Sequence, residues 1–145
     1  MNANKLAQVC ANEMFTHDTV SREMGMSIEH MSYRESDVSM RVTANMLNGH
    51  KTCHGGMIFS LADSAFAFAC NSENEAAVAS ACSIDFLRPA RENDVLTAHA
   101  AAMHQGRRTG VYIVNIVNQK QELVAIFKGT SARLNQAVLP TESKE

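Results

Sequence analysis

The sequence predicts an α+β fold: an antiparallel sheet of about five or six strands wrapped round one long central helix, with short helices at the N-terminus. Three observations lead there. An apolar, alanine-rich run without proline or internal glycine extends from Met57 to Cys70, as a long helix requires. Alternating segments lie before it and strand-like segments after it,. The loops between the later segments are short, which joins neighbours as antiparallel pairs.

The helix organises the rest. The stretch NGHKTCHGGMIFSLADSAFAFACN, Asn48 to Asn71, reads as a loop that turns at His54-Gly55-Gly56 and enters the helix. At about 100° per residue, apolar side chains fall almost all round, which predicts burial within the domain. The polar residues Ser60, Asp63, Ser64 and Asn71 share one narrow arc with Gly56 and Ala67. Asp63 therefore lies nearly in line with Gly56, two turns on.

A carboxylate on such a helix is costly unless something binds it. A lone Asp is commonly satisfied by a core hydrogen bond or an Arg. Here two adjacent glycines open the same helix. Glycine lets backbone N–H groups approach a ligand, and a helix N-terminus favours developing negative charge. Donors for an oxyanion and a carboxylate that acts as base or nucleophile are the minimum set for acyl transfer. Seven residues of helix rise about 10 Å, so Asp63 cannot reach a carbonyl held at Gly55 of its own chain. If both act on one carbonyl, they come from two chains.

In chain order, Asn2 to Met14 reads as a short amphipathic helix, with Leu6, Val9, Cys10 and Met14 at helical spacing. Thr19 to Met24 follows as a second helix, ended by Gly25. From Met26 to Ala44 the period changes to alternation, as in a hairpin with its turn near Glu35-Ser36. Asn45 to Cys53 connects to the central helix, and its Asn48-Gly49 is a turn signal. Asn48 also offers an amide near the helix mouth. After the polar break from Asn71 to Glu75, strands are predicted over Ala77–Leu87, Val95–His104, Gly110–Asn118 and Glu122–Leu134. The run VYIVNIV in the third of these predicts cover on both faces. Ala62, Ala65, Ala67 and Ala69 allow the sheet to close tightly on the helix. The tail from Pro140 to Glu145 is polar and expected to fray.

Composition limits the function. At 145 residues the chain is expected to form a single domain, residues 1–145, and 46% hydrophobic content supports a packed core,. A net charge of −2 argues against nucleic acid as the main partner,. The four cysteines, Cys10, Cys53, Cys70 and Cys82, have neither finger-like nor CxxC spacing, and they read as reduced thiols of a cytoplasmic protein. No apolar run approaches the roughly 18 residues of a membrane span, and the N-terminus lacks the apolar core of a signal peptide. His50 and His54 flank the helix mouth without a third ligand at metal spacing, so no metal and no cofactor is expected. His54 more plainly shapes the turn. Arg88, Arg91, Arg107, Arg108 and Lys128 lie at strand ends and turns. Such residues are usually only solvated, yet a basic rim can hold the phosphates of a nucleotide-bearing thioester.

These motifs together resemble a known family. His54-Gly55-Gly56, Asp63 within FSLADSAFAFA, IDFLRPA at Ile84 to Ala90 and HQGRRTG at His104 to Gly110 look like those of the hotdog-fold acyl-CoA thioesterases, of the PaaI type from phenylacetate degradation. The resemblance covers the chain to about Leu134, and MLNGHKTCHGG at Met46 to Gly56 is especially close. It implies dimers that pair sheets edge to edge, dimers that associate into tetramers, and two active sites per dimer at the boundary. It implies Asp63 as the catalytic carboxylate and the Gly55 N–H as the group that polarises the thioester carbonyl. Asn48 orients the water or the carboxylate, and His54 is the histidine of the motif. Gly56, Ser64, Arg88, Arg107, Arg108 and Thr109 fall to substrate binding, the arginines and Thr109 on the CoA. Two departures stand out. Glu92-Asn93-Asp94 replaces a Gly-Asp turn, and Ala67 stands where some subfamilies carry Thr or Ser, leaving Ser64 as the nearest hydroxyl.

The implied reaction is hydrolysis of an aryl-acetyl-CoA, phenylacetyl-CoA or its ring-hydroxylated forms. Two alternatives share the scaffold. A hotdog dehydratase or hydratase is expected to show a His-Phe-Pro or Asp-to-His dyad, and neither is evident. A non-catalytic acyl-CoA-binding regulator would usually carry a basic DNA-binding appendage, for which the chain has no segment.

Overall fold

The computed structural model describes residues 1–141; the end of the predicted fraying tail, residues 142–145, lies outside the described residues. The chain opens with α1 (Ala3–His17), capped by Asn2, whose Oδ1 accepts the Lys5 N–H at 2.8 Å. It runs three residues past the predicted end because nothing in the segment Phe15-Thr16-His17 breaks it. Then come α2 (Thr19–Glu23), β1 (Ser27–Ser32) and β2 (Glu35–Arg41). A single 3-10 turn (Ala44–Met46) leads towards α3 (Gly55–Cys70), followed by β3 (Ala77–Phe86), β4 (Val95–Gln105), β5 (Thr109–Val117) and β6 (Leu123–Arg133).

The hairpin turn lies at Tyr33-Arg34, two residues before the predicted Glu35-Ser36. Arg34 takes φ of 60°, a conformation that costs a non-glycine residue energy. The surroundings hold it there: its N–H donates to Ser72 Oγ at 3.0 Å and its Nε to Glu73 Oε1 at 2.6 Å. Those partners lie some 40 residues away, so no local signal marks the turn.

The strands form one antiparallel sheet in the order β1-β2-β4-β5-β6-β3. The chain leaves β2, crosses the sheet as α3 and returns as the far edge strand. This gives the predicted six-stranded sheet around one helix. Val38, Met40, Leu96, Ala98, Tyr112, Val114 and Phe127 face the helix and are buried with Leu61, Ala62, Ala65 and Phe66. Glycine at position 129 lets Phe66 lie against β6: a Cβ there would sit 2.8 Å from the ring.

Two surfaces are barer than the sequence predicts. On α3, Ser60, Asp63, Ser64 and Ala67 are only half-buried, so the polar arc is turned away from the sheet. On β5, Tyr112, Val114 and Ile116 are buried but Val111, Ile113 and Val117 are half-buried, because α3 covers one face of the sheet only. The two edges differ as well. Helix α1 packs on β1, whereas β3 bonds to β6 on one side alone and exposes every residue but Ala77 and Ile84.

Candidate active site

The mouth of α3 is built from backbone. His54 is the N-cap, and its ring Nδ1 accepts the Gly56 N–H at 2.9 Å. Its carbonyl accepts from Met57 N–H at 2.9 Å and Ile58 N–H at 3.4 Å. The loop before it is pinned at both ends: His54 N–H donates to the Met46 carbonyl and Cys53 N–H to the Ala90 carbonyl, each at 2.8 Å. That leaves the Gly55 N–H, which has no acceptor among the described residues. A helix leaves such donors at its first turn, and the dipole makes them attractive to an anion.

Phe86, at the end of β3, lies over Gly55. A Cβ at Gly55 would come 3.0 Å from Phe86 Cζ. Beside them opens a cleft of about 360 Å³ lined by Asn48, Gly55, Ile58, Phe86, Arg88 and Pro89, among others. Asn48 serves the loop as well as the cleft. Its Oδ1 accepts from His50 N–H at 2.9 Å and Thr52 N–H at 3.2 Å, and its Nδ2 donates to Thr52 Oγ1 at 3.1 Å. The turn signal and the site residue are therefore one side chain.

Asp63 sits eight residues further along α3, about 12 Å of rise from Gly55. It is half-buried, and no donor among the described residues reaches it. Burial pushes its carboxyl above the ordinary value, and the charge of Asp18 adds in the same direction. A carboxylate raised in this way is a better base than one in water.

The other predicted residues are placed less simply. The Gly56 N–H is committed to His54, and its carbonyl accepts from Ser60 Oγ at 2.9 Å. Ser64 Oγ contacts Ser21 Oγ at 2.7 Å, on α2. Arg88 pairs with Glu122 at 2.7 Å. It lies between the cleft and a second, polar hollow of about 270 Å³ that includes Arg91 and Lys120. Arg107, Arg108 and Thr109 form the exposed β4–β5 turn at the opposite end of the sheet. Thr109 stands opposite Ala132, which pairs with Val78 at the start of β3, while Phe86 ends it. Eight residues of strand separate those levels by about 26 Å, so one chain does not bring that turn to its own Gly55.

Sequence reasoning missed the positions of Phe86, Asp18 and Ser21. The aromatic ring at the end of a strand gave no sign of what it would cover. An Asp immediately before the helix at Thr19 is a cap signal that could have marked Asp18, but nothing local in the sequence gives its approach to α3. Among the described residues, no group of three or more His, Cys, Asp or Glu side chains is placed to hold a metal ion. All four cysteines are free thiols, and only Cys82 is exposed. Among the described residues, no helix is long and apolar enough to cross a membrane.

Comparison with known proteins decides the family. Residues 50–125, from the loop before α3 to the start of β6, match the model of the Thioesterase superfamily. The chain belongs to the thioesterase superfamily. The Escherichia coli K12 protein named acyl-coenzyme A thioesterase PaaI is 53% identical over 128 residues, 88% of this chain and 91% of that protein. The solved structure of the E. coli PaaI protein from the phenylacetic acid degradation operon superposes with a TM-score of 0.93. It is 51% identical and covers 94% of this chain and 99% of that one. A hypothetical thioesterase from Streptococcus pneumoniae TIGR4, solved with coenzyme A, gives a TM-score of 0.81 at 30% identity, over 86% and 98% of the two chains. The fold of this thioesterase is the hotdog fold, and its chemistry is thioester hydrolysis. His54, Gly55, Asp63, Arg88 and the Arg107-Arg108-Thr109 turn all lie within the matched segment.

Proposed function

We propose that this chain hydrolyses an aryl-acetyl-CoA, phenylacetyl-CoA or a ring-hydroxylated form, to the free acid and CoA, at a site shared by two copies. The observation that carries the reading is the state of α3. Among the described residues, it holds an N–H without an acceptor at Gly55 and a carboxylate without a donor at Asp63, about 12 Å apart on one rigid element. Neither can serve the same carbonyl as the other within one chain. A second copy running antiparallel would set its Asp63 against this Gly55, and the reverse, giving two sites per dimer.

The free edge of β3 supports that arrangement. A long exposed edge of small and apolar residues invites another strand. Antiparallel pairing of two β3 edges brings the Arg107-Arg108-Thr109 turn of one copy towards the helix mouth of the other. There it joins Arg88 as a holder of the CoA phosphates. The half-covered outer face of β5 supports a further pairing of dimers into a homotetramer. The reading takes residues 1–145 as one domain, acting in the cytoplasm, where reduced thiols and CoA thioesters persist.

In the reaction, the thioester carbonyl accepts from the Gly55 N–H, and the helix dipole stabilises the oxyanion as it forms. His54 holds the Gly56 N–H and so keeps the first turn in register. Asn48 orients the water or the carboxylate. Asp63 of the second copy acts by one of two routes. As a base it takes a proton from water while the water oxygen bonds to the carbonyl carbon. The tetrahedral intermediate then expels the CoA thiolate, which takes the proton. As a nucleophile its oxygen displaces the thiolate, and water hydrolyses the resulting anhydride. Single-turnover hydrolysis in oxygen-18 water separates the routes: the base route puts the label in the product acid, whereas an anhydride opened by water at its Asp63 carbonyl leaves the label in the enzyme carboxylate. A thiol-release assay across aryl-acetyl, aliphatic and short acyl-CoAs tests the function itself. Fastest turnover with aryl-acetyl thioesters is expected, and no thiol release from any of them would refute it.

A further inference from the structure

Asp18 ends α1 and caps α2. Its Oδ1 accepts the Ser21 N–H at 2.9 Å and its Oδ2 accepts the Ser21 hydroxyl at 2.6 Å. Ser21 is 1% exposed, and with its proton committed to Asp18 its oxygen can only accept from Ser64, at 2.7 Å. Donation therefore runs one way, from Ser64 to Ser21 to Asp18. Ser64 is the residue that follows Asp63 on α3. The hydroxyl that the sequence offered to substrate is thus tied to the N-terminal helices.

We propose that Asp18 is a positioning residue for Asp63: through Ser21 and Ser64 it clamps α2 onto the central helix beside the catalytic carboxylate and presents a second negative charge to it. The inference rests on reading Asp63 as the carboxylate of thioester hydrolysis. It gives the N-terminal helices a chemical task in addition to packing.

The electrostatics agree with the geometry. Burial raises the Asp63 carboxyl first, and Asp18 raises it further. The other ionisable groups coupled to Asp63 are the Cys82 thiol on β3 and the Cys70 thiol on α3. Both are pushed up chiefly by burial, Cys70 to about 12, and so stay neutral. On the neighbouring helices, Glu13 pairs with His17 and Arg22 donates to the Thr16 carbonyl, while Glu23 is exposed. On the sheet, the Asp37–His99 pair and Lys128 alternate with the inward-facing Val38, Ala98 and Phe127, and so lie on the face turned from α3. Asp18 is the one formal charge acting on Asp63 among the described residues. A carboxylate held near a like charge binds its proton more tightly and removes one more readily.

The test is a carbon-13 NMR titration of the Asp63 carboxyl in the parent and in Asp18→Asn, with the resonance assigned from Asp63→Asn. Asparagine keeps the Oδ1 acceptor for the Ser21 N–H of the helix cap, removes the charge, and replaces the oxygen that accepts the Ser21 hydroxyl with an NH2 donor,. The midpoint is expected to move to lower pH, and the acidic limb of kcat/KM against pH to move with it. On the plateau kcat is expected to fall about two- to fivefold with KM unchanged, as Brønsted behaviour requires of a weaker base. Ser21→Ala keeps the charge and cuts the clamp. Its midpoint should fall part of the way, and it decides the matter if Asp18→Asn does not fold. An Asp63 midpoint that stays put in these variants overturns the proposal, even if their turnover falls. The NMR reading is independent of activity. A chain that hydrolyses no acyl-CoA would therefore defeat the proposed function and still report on Asp18.

Discussion

At its C-terminal end, α3 is closed by Asn71. The Asn71 side chain donates to the Ala67 carbonyl at 2.8 Å and the Ala77 carbonyl at 3.1 Å, and accepts the Ala77 N–H at 2.9 Å. Next to it Glu73 binds Arg34 at 2.6 Å and Arg133 at 3.1 Å, and Tyr112 donates to Gln105 at 2.8 Å. Only Ser131 Oγ and Arg133 Nε are left over among the buried side-chain atoms described. At the N-terminal end, the loop is fastened just as firmly up to His54, and then the Gly55 N–H is left open over a cleft. Both ends are fixed by hydrogen bonds. They differ in what is left over: buried side-chain atoms at the closed end, a backbone donor facing a cleft at the open one, and such a donor on a rigid frame is what a developing oxyanion can exploit. Changes at the closed end should therefore cost stability, and changes towards the open end should cost chemistry.

The largest effect is expected from Asp63→Asn. Steady-state thiol release should drop on the order of a hundred-fold or more, with KM little changed. The folded carboxyl titrates above its unfolded value, so folding disfavours its charged form. That penalty is absent below the unfolded value and complete above the folded one. Thermal melts at neutral pH should place the Asn variant at or above the parent, with the gap closing towards about pH 4. A clear loss of stability at neutral pH would mean that the carboxylate serves the fold.

Gly55→Val tests the open end directly. The new side chain meets Phe86, 3.0 Å from the position of its first carbon, and stands over the amide. A fall in kcat of roughly ten- to a hundred-fold is expected, with a thermal midpoint close to the parent's because Phe86 is half exposed and can turn aside. Glu73→Ala is the counterpart. It strands Arg34 and Arg133, and urea titration should show a loss of about 2 kcal/mol with kcat/KM intact. A stable variant with damaged turnover would erase the contrast between the two ends. The smallest effect is expected from His54→Ala, which removes the cap on Gly56 and should cost about 1 kcal/mol or less. Its kcat/KM should fall only a few-fold, and His54→Asn, which can still cap, should recover part of both.

The helix and the later strands were legible because their signals are local. The alanine-rich run without breakers marked α3, and Asn93 and Gln121, which take positive φ, fell in the short gaps between the predicted strands. The Tyr33-Arg34 turn was not legible, since its support comes from Ser72 and Glu73 across the fold. Likewise His54, Gly55 and Asp63 could be read from one helix and its dipole. The ring of Phe86 over Gly55 and the Asp18–Ser21–Ser64 chain depend on the distance between elements, which periodicity does not encode. The half-buried face of α3 went against the all-round apolar pattern because that pattern does not say which side of the helix the sheet covers.

The central claim, one site from two chains, is tested most directly by mixing two variants with damaged turnover. Asp63→Asn and Gly55→Val chains are unfolded together, refolded and assayed for thiol release against each variant alone. In a mixed dimer one site pairs the intact Asp63 of one copy with the intact Gly55 of the other. Random pairing should then restore about a quarter of the parental activity. If the mixture is no more active than its components, although mass spectrometry shows mixed dimers, the shared site is contradicted.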